Sequence, residues 1–192
     1  MSEATKEEKR IDVDKMSDPP ISGLIAKKLS AAVQELYNDQ EGHELNCLVV
    51  GTFTANWACV ISDTLPAAGG RVLCIGDSMD SDGKPSQQWL DVIGKRFSKT
   101  VFPVSGAIEE NYQGIDRKFD LIMFSCCGDY VSMATLLSKW SGLLANNGMV
   151  CGSQLDSDDY QASSFAIKDV FKDDVVKDSS TSFWLARVSR DV

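Results

Sequence analysis

Between residues 45 and 151 short apolar runs alternate with longer segments of helical periodicity, and this alternation leaves few architectures open. Leu45 to Val50 is followed by one glycine, Gly51, then by Ala55 to Leu65 with apolar residues on one helical face, then by Arg71 to Ile75. A run of five or six apolar residues reads as a strand buried on both faces, and such strands belong to parallel sheets covered by helices. The pattern continues with a helix over Gln87 to Phe97, a short strand over Val101 to Val104 and a buried strand over Phe119 to Phe124. A helix over Asp129 to Leu144 is expected to exit through Asn147-Gly148 into a strand over Met149 to Cys151, with a further helix over Tyr160 to Phe171. Right-handed crossovers make such a sheet doubly wound. Val175-Val176 and Ser182 to Val188 read as a closing hairpin that adds antiparallel strands. The expected fold is therefore α/β, a mostly parallel seven-stranded sheet with helices on both faces.

Ahead of this core, Ile21, Leu24, Ile25, Leu29, Ala32, Val33, Leu36 and Tyr37 recur at helical spacing, with Pro20 suited to the first turn and an end near Asn38. Residues 1–18 are polar and charged and are expected to form a loosely ordered tail, leaving residues 19–192 as one domain. A net charge of −9 argues against nucleic acid as a partner, because phosphate binding requires a basic stripe. No run reaches the roughly 18 apolar residues needed to span a bilayer, and the charged N-terminus lacks the apolar core of a secretory signal. A cytoplasmic protein without membrane partners is the expectation.

The six cysteines form no C-x-x-C pair, so zinc-ligand spacing is absent. Cys47, Cys74 and Cys151 lie in strand-like runs and Cys59 on an apolar helix face, which predicts reduced, buried thiols. Cys126-Cys127 falls where a strand ends. The sole histidine, His43, precedes the first strand, at the opposite end of the sheet, so a Cys–His pair is not expected there. Trp57, Trp89, Trp140 and Trp184 lack interleaved basic residues and are read as packing rather than as a base-stacking set.

In an open α/β sheet ligands bind outside the carboxyl ends of the strands. The turn Gly51-Thr52-Phe53-Thr54-Ala55-Asn56 sits at such an end, where a glycine allows a tight turn and free N–H groups at a helix start receive a polar group. The absence of G-x-G-x-x-G disfavours a nicotinamide dehydrogenase. Asp77 with Ser78 follows the second strand, where a carboxylate is able to accept two hydrogen bonds at once, or else belongs to a solvated loop. Asp80-x-Asp82-Gly83 is too short for a calcium loop. Asp129 reads either as a helix cap or as a general base. Asp156, with Asp158 and Asp159, reads as a solvated loop, as a base, or as a set of hard-cation ligands.

Val49-Val-Gly-Thr-Phe-Thr-Ala-Asn-Trp57 resembles the first motif of the class I S-adenosylmethionine-dependent methyltransferases, closest to a small O-methyltransferase-like branch with the pattern E-I-G-T-F-T-G-N-S. Phe119-Asp-Leu-Ile-Met-Phe-Ser125 is similar to that branch's fourth strand, F-D-L-I-F-I-D-G-D-H, and Trp140 to Gly152 to its W-x-x-L-L-x-x-G-G-x-I-V-G segment. The resemblance runs in order from about residue 21 to 190. It implies a Rossmann-like methyltransferase fold with S-adenosylmethionine as cofactor. Gly51 to Asn56 would then lie at the methionine end, Asp77 and Ser78 at the ribose, Ser105 and Gly106 at the adenine, and Ser125 and Cys126 at the end of strand four. The departures are specific: Val49 and Gly76 stand where the family has acids, Ala55 where it has glycine, and Ser125-Cys-Cys-Gly128 and Ser153-Gln154 where metal-dependent members have their acidic ligands. No metal site is carried over. Two readings follow: methyl transfer to a small-molecule acceptor, with Asp129 and Asp156 as the acids to test, or a methyltransferase-like binding or partner protein without catalysis.

Overall fold

A computed structural model describes residues 22–52, 54–66, 69–76, 78–105, 115–126, 129–153, 160–177 and 181–188. The polar tail at 1–18, and among the expected site residues Phe53, Asp77, Gly106 and Asp156, lie outside them. The elements are α1 (Gly23–Asp39), β1 (Leu45–Gly51), α2 (Thr54–Thr64), β2 (Gly70–Gly76), α3 (Gln87–Phe97), β3 (Val101–Val104) and β4 (Phe119–Ser125). They are followed by α4 (Tyr130–Ser141), β5 (Leu144–Ser153), α5 (Tyr160–Phe171), β6 (Val175–Lys177) and β7 (Phe183–Val188). The seven strands form one sheet in the order β3-β2-β1-β4-β5-β7-β6. β1 to β5 pair in parallel, and β7 inserts antiparallel between β5 and the edge strand β6.

Alternating side chains sort the core into two layers, as a strand's two-residue period requires. Cys47, Val49, Leu121, Met123, Met149 and Cys151 face α1, α2 and α3. Leu48, Val50, Ile122, Phe124 and Val150 face α4 and α5, where Trp184 stacks on Phe124 at 6.5 Å between ring centroids. All four tryptophans are 6% exposed or less, as expected of packing residues.

One boundary departs from the sequence expectation. Helix α4 stops at Ser141 rather than Leu144, because the Leu143 N–H turns back to the Trp140 carbonyl while the Leu143 carbonyl accepts from Phe119 of β4. Strand β5 thus starts at Leu144, and Asn147-Gly148 is a bulge inside it rather than a turn ahead of it. Leu144 pairs with Phe119 and Met149 with Leu121, so the longer β5 segment is accommodated by Asn147 at φ 60°.

Candidate functional site

Parallel pairing sets the carboxyl ends of β1, β2 and β4 side by side: Gly51 lies opposite Gly76 of β2 on one side and opposite Ser125 of β4 on the other. Both glycines are obligatory here. Gly51 has φ 123°, and a Cβ on it would fall 2.3 Å from the Ser125 carbonyl oxygen. Gly76 has φ 131°, and its Cβ would fall 2.0 Å from the Gly51 oxygen. No side chain fits at position 76, where the sequence resemblance expects an acid.

Thr52 stitches the first loop to β4. Its N–H donates to the Ser125 carbonyl at 2.8 Å and its hydroxyl to the same oxygen at 3.0 Å. Thr52 itself is exposed at the rim, whereas Thr54, Ala55 and Asn56 at the start of α2 are only 0%, 4% and 5% exposed. These three therefore form the floor of the rim. The Cys74 thiol packs against the Thr54 carbonyl from below at 3.8 Å.

Trp57 is the residue that sequence reasoning assigned only to packing. Its indole Nε1 donates to the Ser125 hydroxyl at 2.7 Å, and both side chains are buried. The alternation that puts Leu121 and Met123 on the α2 face puts Ser125 there too, directly in reach of the helix's first turn. A tryptophan in place of the small residue in the family's first motif was the signal available in the sequence.

Further along the rim, Ser78 is fully buried and its hydroxyl donates to the Cys74 carbonyl at 3.0 Å. The loop beyond it folds on itself: the Asp80 carboxylate accepts from the N–H groups of Asp82 and Lys84, each at 3.0 Å. This loop returns towards β3, where a Cβ on Gly83 would lie 3.7 Å from the exposed Ser105 hydroxyl. Ser125 and Cys126 stand beside Gly51. Cys126 is half-buried.

Asp129 is placed as a cap. One of its oxygens accepts from the N–H of Val131 at 2.9 Å and of Ser132 at 3.1 Å, and the other from the Ser132 hydroxyl at 2.5 Å. These bonds, the Ser132 hydroxyl foremost, hold its carboxyl below the usual range and leave it a weak base. At the end of β5 the Ser153 hydroxyl is paired with Ser182 at 3.3 Å. Of the positions where the sequence resemblance expects acidic metal ligands, Ser125 presents a hydroxyl that accepts from Trp57, whereas Cys127, Gly128 and Gln154 lie outside the described residues. Among the described residues no three His, Cys, Asp or Glu side chains converge as a metal ion would require. His43 is in the α1–β1 connection, at the far end of the sheet from Cys126.

No family model and no curated protein sequence matches the chain. Solved structures do match its fold. An O-methyltransferase from Bacillus cereus in complex with SAH is similar over 91% of this chain and 84% of its own, at 14% identity and a TM-score of 0.62. The O-methyltransferase TomG from Streptomyces achromogenes, in complex with SAM, is similar over 88% and 82%, at 15% identity and a TM-score of 0.61. The carbon methyltransferase CurJ is similar over 88% of this chain and 56% of its own, at 12% identity and a TM-score of 0.59. The chain has the seven-stranded, Rossmann-like fold of the class I S-adenosylmethionine-dependent methyltransferases.

Proposed function

We propose that the protein is an S-adenosylmethionine-dependent methyltransferase acting on a small-molecule acceptor, with a hydroxyl as the group methylated. The observation that carries this reading is the rim itself. Two adjacent strand ends, Gly51 and Gly76, bear no side chain, and the residues that follow β1 and the neighbouring β3, Thr52 and Ser105, are exposed. Such a surface fits an adenosyl amino acid, which has polar groups spread along its length and needs close backbone approach. In this reading Gly51, Thr52, Phe53, Thr54, Ala55 and Asn56 hold the methionine end. Asp77 and Ser78 take the ribose, Ser105 and Gly106 the adenine, and Ser125 and Cys126 border the transferred methyl. The cofactor, when bound, supplies an electrophilic methyl group on a sulfonium.

What this chain contributes is positioning. Thr52 and Trp57 fasten the loop and α2 to Ser125, so the wall beside the reacting centre is set before any ligand arrives. A base raises the rate only if the acceptor hydroxyl arrives protonated. Asp129 is engaged as a cap, so of the two acids Asp156 is the one to test first. Calorimetric titration of the full chain with S-adenosylmethionine and with S-adenosylhomocysteine is expected to give saturable heat in the micromolar range. Single-turnover incubation with radiolabelled methyl donor and a panel of small phenols and alcohols is expected to label one acceptor class. Absence of heat with either ligand overturns the cofactor assignment; heat without methyl transfer to any acceptor overturns the catalytic one.

A further inference from the structure

Ser125 ends β4 directly across from Gly51, and three contacts already engage its two oxygens. The carbonyl takes both the N–H and the hydroxyl of Thr52, at 2.8 and 3.0 Å. The hydroxyl oxygen accepts from the Trp57 indole at 2.7 Å. An indole N–H only donates, so this bond leaves the Ser125 proton to be given elsewhere. Among the described residues nothing accepts it. Yet Ser125 is only 4% exposed, and a buried hydroxyl ordinarily hands its proton to a partner.

Other hydroxyls at this rim conform to that rule. Ser78, fully buried beyond β2, donates to the Cys74 carbonyl, and Ser153 at the end of β5 is paired with the Ser182 hydroxyl. Ser125 differs because its one hydroxyl contact is received, never given. The carboxyl end of a central strand is where an open α/β sheet takes its ligand, and Gly51 opposite bears no side chain to occupy the space. A hydroxyl whose oxygen is engaged from the α2 side is thereby prepared as a donor.

We propose that Ser125 is a catalytic residue whose hydroxyl donates to the acceptor oxygen, and that this oxygen arrives as an anion, making the substrate an acidic hydroxyl compound. The proposal rests on the methyltransferase reading above. A hydrogen bond to the charged form favours that form, so the bound hydroxyl ionises at a lower pH than the free one. Trp57 serves this by turning the Ser125 proton away from the indole. The acceptor's own proton goes to solvent before the transfer. An electron pair of the anionic oxygen then forms the bond to the methyl carbon as the carbon–sulfur pair returns to sulfur. The anionic and sulfonium charges cancel, no proton is released, and the step needs no base.

Single-turnover transfer by the full chain tests this, with saturating S-adenosylmethionine and ring-substituted phenols of one shape and graded acidity, followed across pH. The rate is expected to rise through an inflexion that follows each phenol's own ionisation and lies about one pH unit below it, a tenfold gain in anion. Ser125→Ala is expected to move the inflexion up to the free phenol's value, and Ser125→Thr to keep it low. Trp57→Phe breaks the same contact but leaves the donor, so it too is expected to keep the inflexion low while loosening the cofactor. Melting curves check that each variant folds. An inflexion at one pH for every phenol belongs to a protein group such as Cys126 and overturns the proposal. So does an inflexion at the free phenol's value in the unaltered protein, one that Ser125→Ala leaves low, or labelling of alkanols alone. In each of those cases transfer still proceeds and the methyltransferase reading stands. Absence of heat with either cofactor, or heat without transfer, overturns that reading and this proposal together.

Discussion

At the scale of single residues the rim is governed by what cannot be there. Gly51 and Gly76 exclude every side chain, and Asp129 is held by three hydrogen bonds that leave it little capacity to take a proton. Because the fold lowers the carboxyl's pKa, its stabilising effect is present above the ordinary carboxylate range and is lost as pH falls through the depressed folded value. Asp129→Ala is expected to lower Tm at neutral pH and to shrink that loss below pH 4, measured by melting curves across pH. Asp129→Asn, which keeps the capping oxygen, is expected to preserve most of the Tm and any methyl transfer. A variant that melts normally but has lost turnover would restore Asp129 to the chemistry. The capping role was legible as one of two options, because an acid directly before an apolar helical run is a common N-cap. That Asp129 serves as the cap required the Ser132 hydroxyl to be seen on it.

Among elements, the join between α2 and β4 fixes the rim at the end of β1. The buried Trp57–Ser125 hydrogen bond ties a helix start to a strand end 68 residues away in sequence. Trp57→Phe keeps an aromatic ring but removes the donor and part of the buried indole, which is expected to cost about 1–3 kcal/mol in chemical denaturation and to weaken cofactor binding more than tenfold. Ser125→Ala is expected to behave alike, and the double variant to cost less than the sum of the two, showing that they share one interaction. The strands and helices were largely readable from apolar periodicity, since both-face burial leaves a continuous run such as Phe119 to Phe124. The β5 bulge was not. Asn147-Gly148 carries the same local signal whether it ends a helix or distorts a strand, and only the pairing of Phe119 with Leu143 and Leu144 separates the two. The Trp57 contact was hidden for a related reason: periodicity placed both residues on inward faces without saying which would meet.

For the whole molecule, one sheet with two apolar layers predicts how its thiols behave. Cys47, Cys74 and Cys151 are fully buried. Burial pushes the thiol of Cys59 up to about 12 and those of Cys47 and Cys151 higher still, so none forms thiolate at neutral pH. Alkylation of the native protein followed by peptide mass spectrometry is expected to label Cys126 while sparing Cys47, Cys59, Cys74 and Cys151 until denaturant is added. Rapid native labelling of those four would contradict the packing described. The burial of these cysteines was legible from their place in apolar runs.

The crowding at Gly76 also limits how this protein is able to change. An acid introduced there by a single codon change would strike the backbone of the adjacent strand and sit at a dihedral angle that only glycine tolerates. Lineages or engineers seeking a carboxylate nearer the sheet must therefore rebuild two strand ends together, or work from the residues that follow the strand.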